Sequence, residues 1–137
     1  IQTIEFNEYK YDVDVREGKK NKEKLENSFI VQIPRHFKSF IEIEVYRPVK
    51  IYRILSKENE NQFGFPFPWG NDIFHDWKKT NIEVSVTGIS SNHTMVVSKI
   101  FESGRIKLDS GGPESTSPIL IQDLSRNSIN CPIKLIQ

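Results

Sequence analysis

Residues 82–108 read IEVSVTGISSNHTMVVSKIFESGRIKL. Ile82, Val84 and Val86 alternate with Glu83, Ser85 and Thr87, the two-residue period of a strand with one buried face. Gly88 to His93 is rich in turn formers. Met95 to Phe101 predicts a second strand. Glu102-Ser-Gly-Arg105 has the composition of a hairpin turn, and Ile106 to Leu108 returns. The stretch therefore predicts a three-stranded meander.

Outward from this stretch the same period recurs. Phe40 to Tyr46 (FIEIEVY) sets Ile41, Ile43 and Val45 on one face and Glu42 and Glu44 on the other. Arg47–Pro48 marks a break, and Val49 to Leu55 predicts the next strand. Ser28–Ile33, Ile119–Ile121 and Pro132–Ile136 predict shorter strands, and Thr3–Val15 alternates imperfectly. The segment 16–27 is charged and carries Leu25 as its one large apolar residue, which predicts a mobile loop. Asn71 to Lys79 predicts about two helical turns, capped by Asn71, with Ile73, Phe74 and Trp77 on one face.

Composition agrees with sheet. The 137 residues hold 18 Ile, 9 Val and only 6 Leu, and no Ala at all. Ala is the best helix former, whereas β-branched and aromatic side chains fit a pleated surface. The expected fold is mainly β: one domain over 1–137, a β-sandwich or partly open β-barrel with at most two short helices. A chain of this length buries a real core without disulfides or metal.

Charge and cysteine content exclude little. The net charge of +1 demands neither nucleic acid nor a membrane as partner. The lone Cys131 rules out an internal disulfide framework and any multi-cysteine zinc site. No run reaches the roughly 18 apolar residues of a spanning helix. His36, His75 and His93 lack metal-ligand spacing, so no metal and no cofactor is expected. The chain opens on Ile1 rather than Met, so the lack of a signal peptide leaves secretion open.

Two stretches carry the binding expectations. Residues 35–57 hold Arg35, Lys38, Arg47, Lys50, Arg53 and Lys57 against Glu42 and Glu44, with Phe37, Phe40, Tyr46 and Tyr52 interleaved. Cations for phosphates and rings for bases are what a nucleic-acid surface needs, so Arg35, Lys38, Arg47, Lys50 and Arg53 are its candidate residues. Residues 63–77 carry Phe63, Phe65, Phe67, Trp69, Phe74 and Trp77 among two prolines. Phe65, Phe67, Trp69 and Trp77 are candidates for a preorganised protein- or glycan-binding loop; the competing reading is a plug against the core. Asn92-His-Thr94 fits a glycosylation sequon.

Short resemblances bear on function. Ser28-Phe-Ile-Val-Gln-Ile-Pro-Arg-His-Phe37 resembles the strand–Ile-Pro–basic opening of B3-type DNA-binding domains, which implies a β-pseudobarrel that binds DNA; it covers ten residues. Asp109-Ser-Gly-Gly-Pro113 resembles the segment around the nucleophilic serine of trypsin-like proteases. It departs from that family at Leu108, where the family has Gly, in chain length, and in lacking separate His and Asp segments. Asp109-Ser110-Gly111 is also similar to the active-site turn of retroviral-type aspartic proteases, although Lys107 interrupts the apolar residues that precede it there. The functional expectation is a non-catalytic binding domain, either a protein-interaction module with a protein partner or a structural module. The alternative is a nucleic-acid-binding barrel, and a further one a small hydrolase centred on Asp109 and Ser110.

Overall fold

The structure is a computed structural model. It describes residues 2–5, 15–17, 28–32, 40–57, 74–86, 90–109, 119–125 and 131–136. Eleven strands lie among them: β1 Gln2–Glu5, β2 Val15–Glu17, β3 Ser28–Gln32, β4 Phe40–Val45, β5 Val49–Ser56, β6 Lys78–Lys79, β7 Val84–Val86, β8 Thr94–Phe101, β9 Gly104–Asp109, β10 Ile119–Asp123 and β11 Ile133–Ile136. A 3-10 turn at Ser91–His93 lies between β7 and β8. The protein is mainly β, and its sheets do not close into a barrel.

Six strands form one sheet in the order β1-β3-β10-β5-β8-β6, and three form a second in the order β11-β4-β9. All pairs are antiparallel except β1 with β3. A small third sheet joins β2 to β7.

Two continuous chain segments run through both of the larger sheets. β4 continues into β5 through Tyr46-Arg47-Pro48, and β8 continues into β9 through Glu102-Ser103. β4 pairs with β9 and β5 with β8, so one long ribbon is folded over at these two connections. Val45 lies opposite Gly104 and Val49 opposite Phe101, so three residues oppose two at the fold. This is the count of a β-bulge, the device by which strands switch sheets at a corner. β10 and β11 flank β5 and β4 and make the same passage, with Leu124 N–H donating to Pro48 O at 3.2 Å and Tyr46 N–H to Pro132 O at 2.9 Å.

The residues at the bend explain it. Pro48 has no N–H for a regular ladder, so it suits a bulge. Gly104 has φ of 113°, a conformation that L side chains rarely adopt. Arg47 reaches from the bend to Asp123 with Nε at 3.1 Å and Nη2 at 2.8 Å from Oδ2. Gly104→Ala is expected to cost about 1–2 kcal/mol through backbone strain alone, because a Cβ there meets nothing within 4 Å. Chemical denaturation measures this; an unchanged midpoint would show that the bend tolerates another conformation.

Inside the bend lies the main core. Val31, Val49, Ile51, Ile119 and Ile121 of the larger sheet meet Ile41, Ile43, Val45, Leu108 and Ile133 of the smaller one. The opposite face of the larger sheet is buried as well. Ile30, Tyr52, Ile54, Val96 and Leu120 there pack against Ile82, Val84 and Val86. Thr80 directs that cover: its N–H and Oγ1 both bond Val96 O, at 3.0 and 2.9 Å. The chain then leaves the sheet edge, and Thr94 Oγ1 holds Val84 O at 3.0 Å. Burial on both faces accounts for the near-continuous apolar run of β5 and the Met-Val-Val of β8.

Three expectations are corrected here. The stretch 82–108 is no meander: β7 pairs with β2, β8 with β5 and β6, and β9 with β4. Glu102–Arg105 is accordingly a bend between sheets rather than a hairpin turn. The helix expected over 71–79 is not formed in its described part. Trp77 N–H closes a turn on Phe74 O at 3.1 Å, and Lys78–Lys79 then pair with β8, because the edge of the sheet offers ladder partners that an isolated short helix lacks. Arg16 and Glu17, expected in the charged loop, belong to β2; residues 18–27 lie outside the described residues.

Candidate binding face

The expected basic surface does not assemble as one set. Arg35 and Lys38 lie outside the described residues. Arg53 is 1 % exposed, with its guanidinium carbon 5.2 Å from the centre of the Phe74 ring. Two-residue alternation puts it on the inward face with Val49, Ile51 and Leu55, so it meets no phosphate from solution. Arg47 is held bidentately by Asp123, whose side chain is 1 % exposed and also accepts from Ser125 N–H at 2.9 Å. Its role is to fasten the bend to β10. Of the interleaved rings, Tyr52 is buried and donates to Gln122 Oε1 at 2.9 Å, while Tyr46 is exposed.

Lys50 stands apart from these. It opens on a hollow of about 240 Å³ lined by Lys50, Asp76, Lys78, Ser98, Lys99 and Ile100. Strand pairing builds the hollow: Lys50 lies opposite Ile100, and Ser98 lies opposite both Tyr52 and Lys78. Lys50 Nζ sits 5.5 Å over the Tyr52 ring and Lys99 Nζ 5.5 Å over the Phe101 ring. Lys99 Nζ also donates to Asp76 Oδ2 at 2.5 Å. That hydrogen bond, opposed by some desolvation, holds the Asp76 carboxyl below the usual carboxylate range.

Three large apolar side chains are exposed among the described residues: Tyr46 at 53 %, Ile100 at 58 % and Leu124 at 42 %. All three lie within two residues of the bend. Ile100, Lys50 and Gln122 form one row across β8, β5 and β10. Pro48 and Leu124, hydrogen-bonded to each other, follow one residue beyond the strand ends. The face that Ile82, Val84 and Val86 cover around Tyr52 and Ile54 is thus uncovered near the bend. The outer side of the smaller sheet is different: Glu42 lies opposite Lys107, and Glu44 opposite Arg105 and Lys134, a solvated charged surface.

The other candidates fall as follows. Phe65, Phe67 and Trp69 lie outside the described residues. Trp77 is half-buried, edge-on to Phe74 at 5.9 Å and to Phe101 at 6.0 Å, and packs against the core. Asp109 ends β9 opposite Phe40, and Ser110 lies outside the described residues. His75 is exposed in the turn beside Asp76, which Lys99 engages, and His93 is half-buried in the 3-10 turn. His36 lies outside the described residues. Among the described residues no three His, Cys, Asp or Glu side chains gather to hold a metal, and no helix is long and apolar enough to cross a membrane.

Lys78, Lys99 and Ile100 were not legible as candidates. They stand far from Lys50 in sequence, and only the pairing of β5, β8 and β6 brings the four together. Comparison with protein-family models, with curated proteins and with solved structures finds no match to this chain.

Proposed function

We propose that this domain is a non-catalytic protein-interaction module that docks its partner on the face at the bend. The observation that supports the reading is the grouping of Tyr46, Ile100 and Leu124, all exposed, beside Lys50, Lys78 and Lys99. Apolar anchors with a polar, charged rim are the usual anatomy of a protein interface. The rim is cationic, so the partner is an acidic segment carrying an apolar side chain that seats on Ile100. Burial of Arg53 and engagement of Arg47 leave the nucleic-acid alternative with fewer cations than the sequence promised.

Selection of a displayed library of random peptides on the immobilised domain tests this. Enriched sequences are expected to combine Asp or Glu with a large apolar residue. Ile100→Asp is expected to weaken a selected peptide at least about tenfold, roughly 1.4 kcal/mol, with an unchanged circular dichroism spectrum. No enrichment, or peptides that ignore Ile100→Asp, would refute the reading. Retention of a single-stranded oligonucleotide with a steep salt dependence, lost in Lys50→Ala, would replace it with the nucleic-acid reading.

A further inference from the structure

We infer that the outer edge of β9 is a strand-addition site for an extended partner segment in which acidic and apolar residues alternate. The inference goes beyond the docking proposed at the bend and does not depend on Ile100. β9 is an edge strand: among the described residues it pairs with β4 and with no other strand. The register shows which of its backbone groups face outward. Tyr46 N–H donates to Pro132 O, in register with the pairing of Val45 and Ile133. Tyr46, Glu44 and Glu42 therefore turn their backbone groups toward β11, and Val45, Ile43 and Ile41 turn theirs toward β9. Gly104, Ile106 and Leu108, opposite these three, bond back to β4. The N–H and C=O groups of Arg105, Lys107 and Asp109 point away from β4, at the spacing an incoming strand requires.

The side chains select what such a strand carries. On the outer face charge alternates from strand to strand: Lys134 of β11 lies opposite Glu44 of β4, which lies opposite Arg105 of β9, and Glu42 lies opposite Lys107. Arg105 also reaches Glu42, Nε to Oε1 at 3.7 Å, with 62 % of its side chain still exposed. A strand added beside β9 meets Arg105 and Lys107 on that face, so carboxylates there continue the alternation, whereas cations are repelled. On the core face Ile106 is half-buried, although Ile43 opposite it is fully buried between β9 and β11. Ile106 packs against the main core cluster, so an apolar residue placed beside it extends that core. The segment that fits reads acid–apolar–acid across Arg105, Ile106 and Lys107. Glu42-Ile43-Glu44 of β4 presents that same pattern to them from the other side. A second copy of β9 fits less well, because the two-fold pairing that opposes Arg105 to Asp109 brings Lys107 against its own copy.

The test is titration of the whole domain with the blocked peptide Thr-Ile-Glu-Ile-Glu-Thr, followed through amide shifts and hydrogen exchange. Laid antiparallel on β9, the peptide sets its two glutamates opposite Lys107 and Arg105. Saturable binding is expected, with amide exchange at Arg105 and Lys107 slowed at least about tenfold and that at Ile106 and Leu108 changed little. Lysine in place of both glutamates is expected to weaken the peptide more than about tenfold. N-methylation of the glutamate opposite Lys107 removes a ladder hydrogen bond and is expected to abolish binding. N-methylation of the isoleucine opposite Ile106, whose N–H faces away from β9, is expected to cost less than about threefold. These changes leave the domain itself untouched. In the domain, Arg105→Gln combined with Lys107→Gln is expected to weaken the peptide about tenfold, and Lys134→Gln on the far edge to change nothing. No saturable binding, or amides of Arg105 and Lys107 already slow to exchange in the free domain, would overturn the site. Equal effects of the two N-methylations would overturn strand addition, and equal binding of the lysine peptide would overturn the acidic assignment. Loss of the peptide in Ile100→Asp would place it at the bend and overturn the edge site. Retention there, with the library-selected peptides lost, would support two separate surfaces.

Discussion

Ile51→Ala is expected to lower the stability of the domain by about 4 kcal/mol, near the top of the range for a buried isoleucine. Ile51 is fully buried in the cluster between the two larger sheets, opposite Ile121 on one side and Lys99 on the other. The cost of such a truncation depends on how far the surroundings collapse into the space left behind. Here they collapse little. β5 is hydrogen-bonded to β10 and β8 on its two sides, and the face behind it is covered through Tyr52 and Ile54 by Ile82, Val84 and Val86. Urea unfolding measures the effect as a lower midpoint at an unchanged slope. A loss below about 1.5 kcal/mol would mean that this position is not at the centre of the core.

Asp123→Ala is expected to cost about 3 kcal/mol, the low end for breaking a buried ion pair because Arg47 keeps contact with water. Asp123 is the buried partner: it accepts the Arg47 guanidinium at 2.8 and 3.1 Å and the Ser125 N–H at 2.9 Å. Its removal unfastens β10 from the bend and leaves the Ser125 N–H without that acceptor. Arg47→Met takes the Arg47 guanidinium away from a buried carboxylate, so it too is expected to destabilise. The double variant tests whether the two act together. A coupling of about 2 kcal/mol between the positions is expected, and additive losses would show that the pair does not hold the bend.

Legibility varied with the distance over which the deciding interaction acts. The alternation of Ile41, Ile43 and Val45 with Glu42 and Glu44 correctly gives the buried and solvated sides of β4, since both follow from the two-residue period. The same period in Ile82, Val84 and Val86 correctly gives one buried face, but it carries no information about the pairing partner. Arg53 shows the opposite error. Its charge suggested a surface, although Val49, Ile51 and Leu55 at alternate positions already placed it on the inward side of β5. Trp77 reads as binding loop or plug from sequence; its edge contacts with Phe74 and Phe101 put it against the core.

The stretch 82–108 separates what is local from what is not. By itself the sequence determined that it contains strands and which side of the first is apolar. These follow from side-chain alternation, from the permissive backbone of Gly and from the restricted backbone of Pro, which act within a few residues. Only the tertiary structure decided that the three strands enter three different pairings, and that the turn before Arg105 is the bend of a folded ribbon. The reason is physical. Strand pairing is satisfied by backbone groups common to every residue, so the choice among partners falls to the burial of whole faces. That choice buried Arg53, engaged Arg47, and brought Lys50, Lys78, Lys99 and Ile100 to one hollow.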